Sequence, residues 1–150
     1  MLSVSVFVLQ CEIFSTRDAL VAWQIGMNAN KFAEETFRMD SRIRYVAIVD
    51  RQFHVLVSRM REGVASITPE EDDRHFVQLI PPILLDAVEK LTPLLGKVES
   101  VTVRYEKVLL VFFTKENYVV VLSFSPTVTR PFMSALTETM QSLASQYLTD

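Results

Sequence analysis

The stretch VESVTVRYEKVLLVFFTKENYVVVLSF, residues 98–124, decides the fold. Its three apolar runs predict strands over residues 98–105, 108–114 and 118–124, with only a few polar residues between them. Connections this short cannot cross over a sheet, so the strands are predicted to form an antiparallel meander. The second and third runs are almost entirely apolar, which is typical of central strands that are covered on both faces.

Two further strands are predicted upstream as a hairpin. Residues 43–49 (IRYVAIV) are nearly all apolar, and residues 53–58 (FHVLVS) alternate after a short turn. A strand that is apolar on both faces belongs in the middle of a sheet, which places the first strand beside the fifth. The chain is therefore predicted to be an α/β (α+β) domain. Its five-stranded antiparallel sheet has the order 2-1-5-4-3 and is sandwiched by helices.

The first and last helices are predicted from their caps and apolar stripes. Asn30 is placed to cap a short helix over residues 31–39. Thr129 and Pro131 mark the start of the last helix. Its apolar side chains recur at helical spacing, as expected for a helix lying on a sheet. They are Phe132, Leu136, Met140, Leu143 and Tyr147.

A middle helical segment is predicted after Thr68, a candidate cap that is followed by Pro69 and four acidic residues. Pro81-Pro82 should divide the segment into two helices, because each proline removes a backbone donor. Gly96 should end the second helix. The stripe expected to face the sheet is Phe76, Leu79, Ile80, Ile83, Leu84, Ala87 and Leu91.

Composition indicates one globular domain. The 150 residues are 49% hydrophobic with a net charge of −3, which argues against disorder and against binding to nucleic acid or anionic membrane. Cys11 is the only cysteine, so no internal disulfide is possible, and a cytoplasmic location is expected. Three glycines leave little material for a phosphate-binding loop, and no cofactor is expected.

The predicted domain covers residues 28–150, and residues 1–27 form an N-terminal extension. Residues 2–9 are apolar, but no Lys or Arg precedes them and they are short for a membrane span. Residues 1–27 are therefore expected to form either an extra strand or a loosely attached extension. A third possibility is that the essential domain begins at Met27.

No catalytic or metal-binding constellation is recognisable. His54 precedes Ser58 by four residues on one strand, too far for a reliable hydrogen bond and without a nucleophile elbow or other signature around them. Asp72 and Asp73 are interpreted as helix N-terminal acids rather than a catalytic pair. We therefore expect no enzyme activity and no metal site, with a hydrolase using His54 and Ser58 as a remote alternative.

Arginines are concentrated around the first hairpin. A planar guanidinium suits phosphate or carboxylate recognition, so this cluster is a candidate anion-binding site. Its residues are Arg42, Arg44, Arg51, Arg59 and Arg61. The alternative is a solvated hairpin edge whose arginines form ordinary ion pairs, either with nearby acids such as Asp40 and Asp50 or between two subunits.

The middle helical segment has more apolar residues than one buried face requires, which predicts contact with another protein or a second copy. The third strand is an expected sheet edge, open to pairing. Candidate dimer-interface residues are Val77, Leu85, Val88, Thr102 and Arg104. The alternative is that a kink at Pro81-Pro82 rotates the buried face of the helical segment, which would explain its additional apolar residues without a partner.

The order of elements resembles the roadblock/dynein light-chain fold, a profilin-like architecture. RIRYVAIVDRQFHVLVSRMREGV (residues 42–64) and GKVESVTVRYEKVLLVFF (residues 96–113) also resemble a set of uncharacterised archaeal proteins of this form. The resemblance covers residues 31–148. The related longin domain begins directly with strands and ends with two helices, which the predicted order disfavours.

The resemblance implies binding rather than catalysis. Roadblock proteins commonly form homodimers by aligning their third strands and second helices into a ten-stranded sheet, and they regulate or scaffold small GTPases. The implied function is therefore a dimeric scaffold with a protein partner such as a small GTPase. The alternative hypothesis is a sensor domain that binds a small anion.

Overall fold

The computed structural model of the chain describes residues 16–149. Its elements alternate between helices and groups of antiparallel strands. In chain order they are α1 (Thr16–Met39), β1 (Ile43–Asp50), β2 (Val55–Met60), α2 (Glu70–Glu89), α3 (Thr92–Leu95), β3 (Val101–Arg104), β4 (Leu109–Lys115), β5 (Tyr118–Phe124) and α4 (Arg130–Tyr147).

The five strands form one antiparallel sheet in the order β2-β1-β5-β4-β3, which confirms the predicted topology. All seven residues of β5 are buried, as its apolar sequence predicts for a central strand. The meander is confirmed as well, although β3 is shorter than predicted and spans only Val101–Arg104.

Helices cover both faces of the sheet. Ala29 and Phe32 of α1 and Leu136 and Met140 of α4 pack on one face. Helix α2 packs on the opposite face, against side chains of β1, β4 and β5. The predicted stripe of α4 lies against the core, with Phe132, Leu143 and Tyr147 partly buried. The sheet is thus a scaffold with α2 on one side and a helix pair on the other.

Helix α1 is present from the first described residue, Thr16, so the predicted helix over residues 31–39 is too short. Asn30 is not a cap: it lies inside the helix, and its Nδ2 donates to the Gly26 carbonyl at 3.0 Å. The helix runs without interruption through residues 27 and 28, where the domain boundary was expected. Cys11 and the apolar residues 2–9 lie outside the described residues. Within residues 16–149, no helix combines the length and apolarity needed to cross a bilayer.

Helix α2 is continuous through Pro81 and Pro82, so the predicted division of the segment at these prolines is wrong. Both prolines are buried, as are Val77 and Leu85 of the same helix, and burial of the two rings offsets the loss of two backbone donors. The segment divides later, after Glu89, and Gly96 ends α3 as predicted, at φ 89°.

The helix starts and the hairpin turn differ in detail from the predictions. Pro69, not Thr68, occupies the N-cap of α2, and the Thr68 hydroxyl donates to the Asp73 carboxylate. Strand β2 begins at Val55, because Phe53 has a φ of 70° and belongs to the turn. His54 therefore lies in the turn rather than in mid-strand.

Candidate protein interface

Helix α2 carries apolar side chains toward the sheet and toward solvent. Val77 and Leu85 are 2% and 1% exposed, in a core shared with β1, β4 and β5. Seven large apolar side chains of α2, α3 and the residues between them are exposed instead. We call them the apolar helix surface: Leu79, Ile80, Ile83, Val88, Leu91, Leu94 and Leu95. Exposed apolar groups concentrated in this way are typical of a protein-binding surface.

The predicted orientation of α2 is wrong in part: Phe76 and Leu84 of the predicted stripe pack against the core, but other members of it do not. Leu79, Ile80 and Ile83 were expected to face the sheet and are 39–52% exposed. Of the predicted interface residues on this helix, Val77 and Leu85 lie in the core and only Val88 is exposed. The difference follows from the prolines. If Pro81 is counted as an apolar side chain rather than a break, it joins Val77 and Leu85 in a buried stripe with a spacing of four residues.

Strand β3 forms a free edge of the sheet. It pairs with β4 only, and within residues 16–149 no strand pairs with its other side. Thr102 and Arg104 of β3 are exposed, whereas Val101 and Val103 are partly buried against the α2 side of the sheet. An unprotected edge of this kind can accept a strand from another chain.

Arg51 in the β1–β2 turn holds the C-terminal half of α2. Its guanidinium donates two hydrogen bonds to Glu89, at 2.9 and 3.0 Å, and one to Asp86 at 2.9 Å. The hydrogen bond to Glu89 raises the pKa of Arg51 above its usual value. Fork-like pairing of this kind fixes direction as well as distance. It thereby helps to determine which side of α2 faces solvent.

Arg42 and Arg61 are engaged on the opposite side of the molecule. Arg42 donates two side-chain hydrogen bonds at 3.0 Å to Asp40 and lies 3.7 Å from the centre of the Phe132 ring. The bond to Arg42 lowers the pKa of Asp40. Arg61 donates to the backbone carbonyls of Ile43, Phe37 and Asp40. Both guanidiniums thus tie the hairpin to the helices beside it.

The five arginines do not converge on one site. Arg59 lies 3.7 Å from Glu34 of α1, and Arg44 donates to the Ala65 carbonyl at 3.2 Å. Arg42 and Arg61 share Asp40 as a partner, whereas Arg44, Arg51 and Arg59 bind elsewhere, and each contact uses donors that an anion would need. A site for an anion at the hairpin therefore stays a hypothesis.

His54 and Ser58 have different partners. His54 Nδ1 lies 2.9 Å from Asp50 Oδ2, with 74% of the His54 side chain exposed. Ser58 Oγ lies 2.5 Å from the hydroxyl of Tyr45. Burial raises the pKa of Tyr45 above its usual value, so this phenol stays protonated at neutral pH. The described residues contain no group of three or more His, Cys, Asp or Glu side chains placed to hold a metal ion.

The architecture has counterparts among solved structures. The gliding protein MglB from Thermus thermophilus is 20% identical, with a TM-score of 0.60 over 81% of this chain and 92% of that chain. A structure of MglB with a tetrameric arrangement is 21% identical, with a TM-score of 0.60 over 82% and 92%. A roadblock/LC7 domain from Streptomyces avermitilis is 12% identical, with a TM-score of 0.55 over 71% and 86%.

The chain has the roadblock fold. At these identities the similarity extends to the fold alone. No protein-family model and no curated protein matches the chain.

Within this roadblock fold, the surfaces described above lie on two particular elements. The second helical segment carries the apolar helix surface, and β3 carries the free edge. These are the elements through which the resemblance implies dimer contacts. Thr102 and Arg104, predicted from the sequence as interface residues, lie on that edge.

Proposed function

We propose that the chain is a non-enzymatic scaffold or regulator that forms a homodimer in the cytoplasm and binds a protein partner. Small GTPases are the first class of partner to test. The observation that carries the proposal is the apolar helix surface on α2 and α3, in a chain whose β3 edge is also free.

A homodimer would cover the apolar helix surface and pair the free β3 edge in one contact. A two-fold contact places the same patch of each copy against its equivalent, so one apolar helix surface covers the other. Apolar area removed from water stabilises such a contact by about 25 cal/mol per Å². Antiparallel pairing of β3 with its copy would extend the sheet to ten strands, the arrangement that the roadblock resemblance implies. The tetrameric arrangement of MglB supports association of chains with this fold.

A second exposed apolar group is available for the partner. Leu20, Val21 and Trp23 of α1 are 64%, 52% and 62% exposed. Helix α1 packs on the face of the sheet opposite α2, so this group stays accessible when α2 and β3 form the dimer. An exposed tryptophan with aliphatic neighbours is a frequent anchor in protein interfaces. The choice of a small GTPase as its partner comes from the resemblance.

Calorimetric titration with purified small GTPases, loaded with GDP or with a non-hydrolysable GTP analogue, tests the partner. We expect at least one GTPase to bind, with an affinity that depends on the nucleotide, and we expect Trp23→Ser to weaken binding by about tenfold or more. Tyr105→Ser is the control, because Tyr105 is 50% exposed in the turn next to the β3 edge of the sheet, whereas α1 packs over β1 and β2 at the other side. Absence of binding heat for every GTPase in both nucleotide states would contradict the proposed partner.

A further inference from the structure

A cavity of about 630 Å³ lies between the N-terminal half of α2 and the sheet. One row of cross-strand neighbours lines it: Met60, Tyr45, Ser123 and Leu110, from β2, β1, β5 and β4 in that order. Phe76 and Val77 of α2 also border it. Its volume lies within the range of cavities that hold drug-sized ligands.

Ser123 is the unusual member of this row. It is 6% exposed, and it is the one polar residue of a strand whose other six residues are apolar. The hydroxyl of its neighbour Tyr45 is bonded to Ser58, whereas Ser123 borders the cavity. A ligand that presents a hydrogen-bonding group at this position would gain a polar contact in a mainly apolar site. A small side chain here also deepens the cavity at the middle of the sheet.

The charges that border the cavity do not favour an ion. Arg44 and Lys107 are opposed by Asp72, Asp73 and Glu106. Arg44 is already bonded to the Ala65 carbonyl, and Asp73 accepts hydrogen bonds from Ser66 and Thr68. Because charges of both signs border the cavity and some of them are already paired, the electrostatic field there favours neither an anion nor a cation.

We propose that this cavity is a binding site for a neutral, mainly apolar small molecule that presents one hydrogen-bonding group to Ser123. Apolar side chains from the sheet and from α2 would enclose the body of the molecule, and the Ser123 hydroxyl would fix its orientation. The site is separate from the apolar helix surface, which lies on the solvent side of the same helix.

Titration of the full chain with Nile red, a neutral apolar dye that fluoresces in apolar surroundings, tests the site. We expect saturable binding of one dye per chain and a higher melting temperature in the presence of the dye. Ser123→Leu fills the cavity and should weaken binding by about tenfold or more. Val108→Trp should have the same effect, because Val108 borders the cavity just before β4 and a larger side chain there narrows it without altering the central strand.

Ile83→Asp is the matched control, because it changes the apolar helix surface and leaves the cavity lining intact. Dye binding that survives Ile83→Asp and is lost in a folded Ser123→Leu or Val108→Trp chain supports the proposal. Dye binding that is lost in Ile83→Asp and kept in both cavity variants would place the dye on the helix surface and overturn it. Absence of saturable binding to the unmodified chain would overturn it as well.

Discussion

An Ile83→Asp variant is expected to be monomeric at concentrations at which the unmodified chain is a dimer. Ile83 is 52% exposed and belongs to the apolar helix surface, so a two-fold contact brings this position of both copies into the interface. The variant would bury two carboxylates without partners, which should raise the dissociation constant by about a hundredfold or more. Light scattering over a dilution series of both proteins measures the change.

Val21→Asp provides a control that introduces the same charged side chain at the same exposure. Val21 is also 52% exposed on a helix, but it lies on α1, which covers the opposite face of the sheet. We expect its molar mass to equal that of the unmodified chain. If Val21→Asp dissociates the dimer and Ile83→Asp does not, the interface lies on α1 and the assignment to α2 is incorrect.

A Leu85→Ala variant should lose about 2–5 kcal/mol of the free energy of unfolding, the usual cost of truncating a buried leucine. Leu85 is 1% exposed and packs in the core between α2 and the sheet. Urea unfolding, followed by circular dichroism, measures the loss. The measurement is made in the Ile83→Asp background, so that dissociation of a dimer does not contribute to the difference.

Leu79→Ala in the same background is the matched control. The substitution is identical and lies on the same helix, but Leu79 is 46% exposed. We expect it to cost less than about 1 kcal/mol, because a side chain this exposed loses little packing. Equal losses for the two variants, or a larger loss at Leu79, would show that α2 faces the sheet with the side predicted from the sequence.

The sheet could be predicted because its evidence is local. The β4 and β5 sequences are apolar on both faces, and the connections between β3, β4 and β5 are too short for anything but a meander. Placing β1 beside β5 needed only the rule that strands apolar on both faces are central. These signals do not depend on any distant part of the chain.

Helices α1 and α2 were predicted less well than the sheet, because the sequence signals for them conflict or are missing. In α2 the pair Pro81-Pro82 suggests a break, whereas packing against the sheet keeps the helix continuous. In α1 the residues from Thr16 to Trp23 are exposed, so no buried stripe marks this part of the helix. The continuity of α2 and the extent of α1 depend on tertiary contacts, which the sequence pattern alone does not reveal.

The candidate sites depended on contacts between distant residues. Arg51 reaches Glu89, 38 residues away, and Arg61 reaches Phe37, so the arginines could not be recognised as paired from their spacing. The cavity depends on the register that sets Ser123 beside Tyr45 and Leu110. One signal was present in the sequence: Ser123 interrupts the otherwise apolar run of residues 118–124.

The most direct test of the proposed dimer is the molar mass of the unmodified full chain, measured by light scattering at high micromolar concentration. One chain has a mass of 17.2 kDa. The predicted result is twice this mass, decreasing toward the mass of one chain on dilution. A mass of 17.2 kDa at every concentration would show that the apolar helix surface does not join two copies of the chain, and it would contradict the dimer.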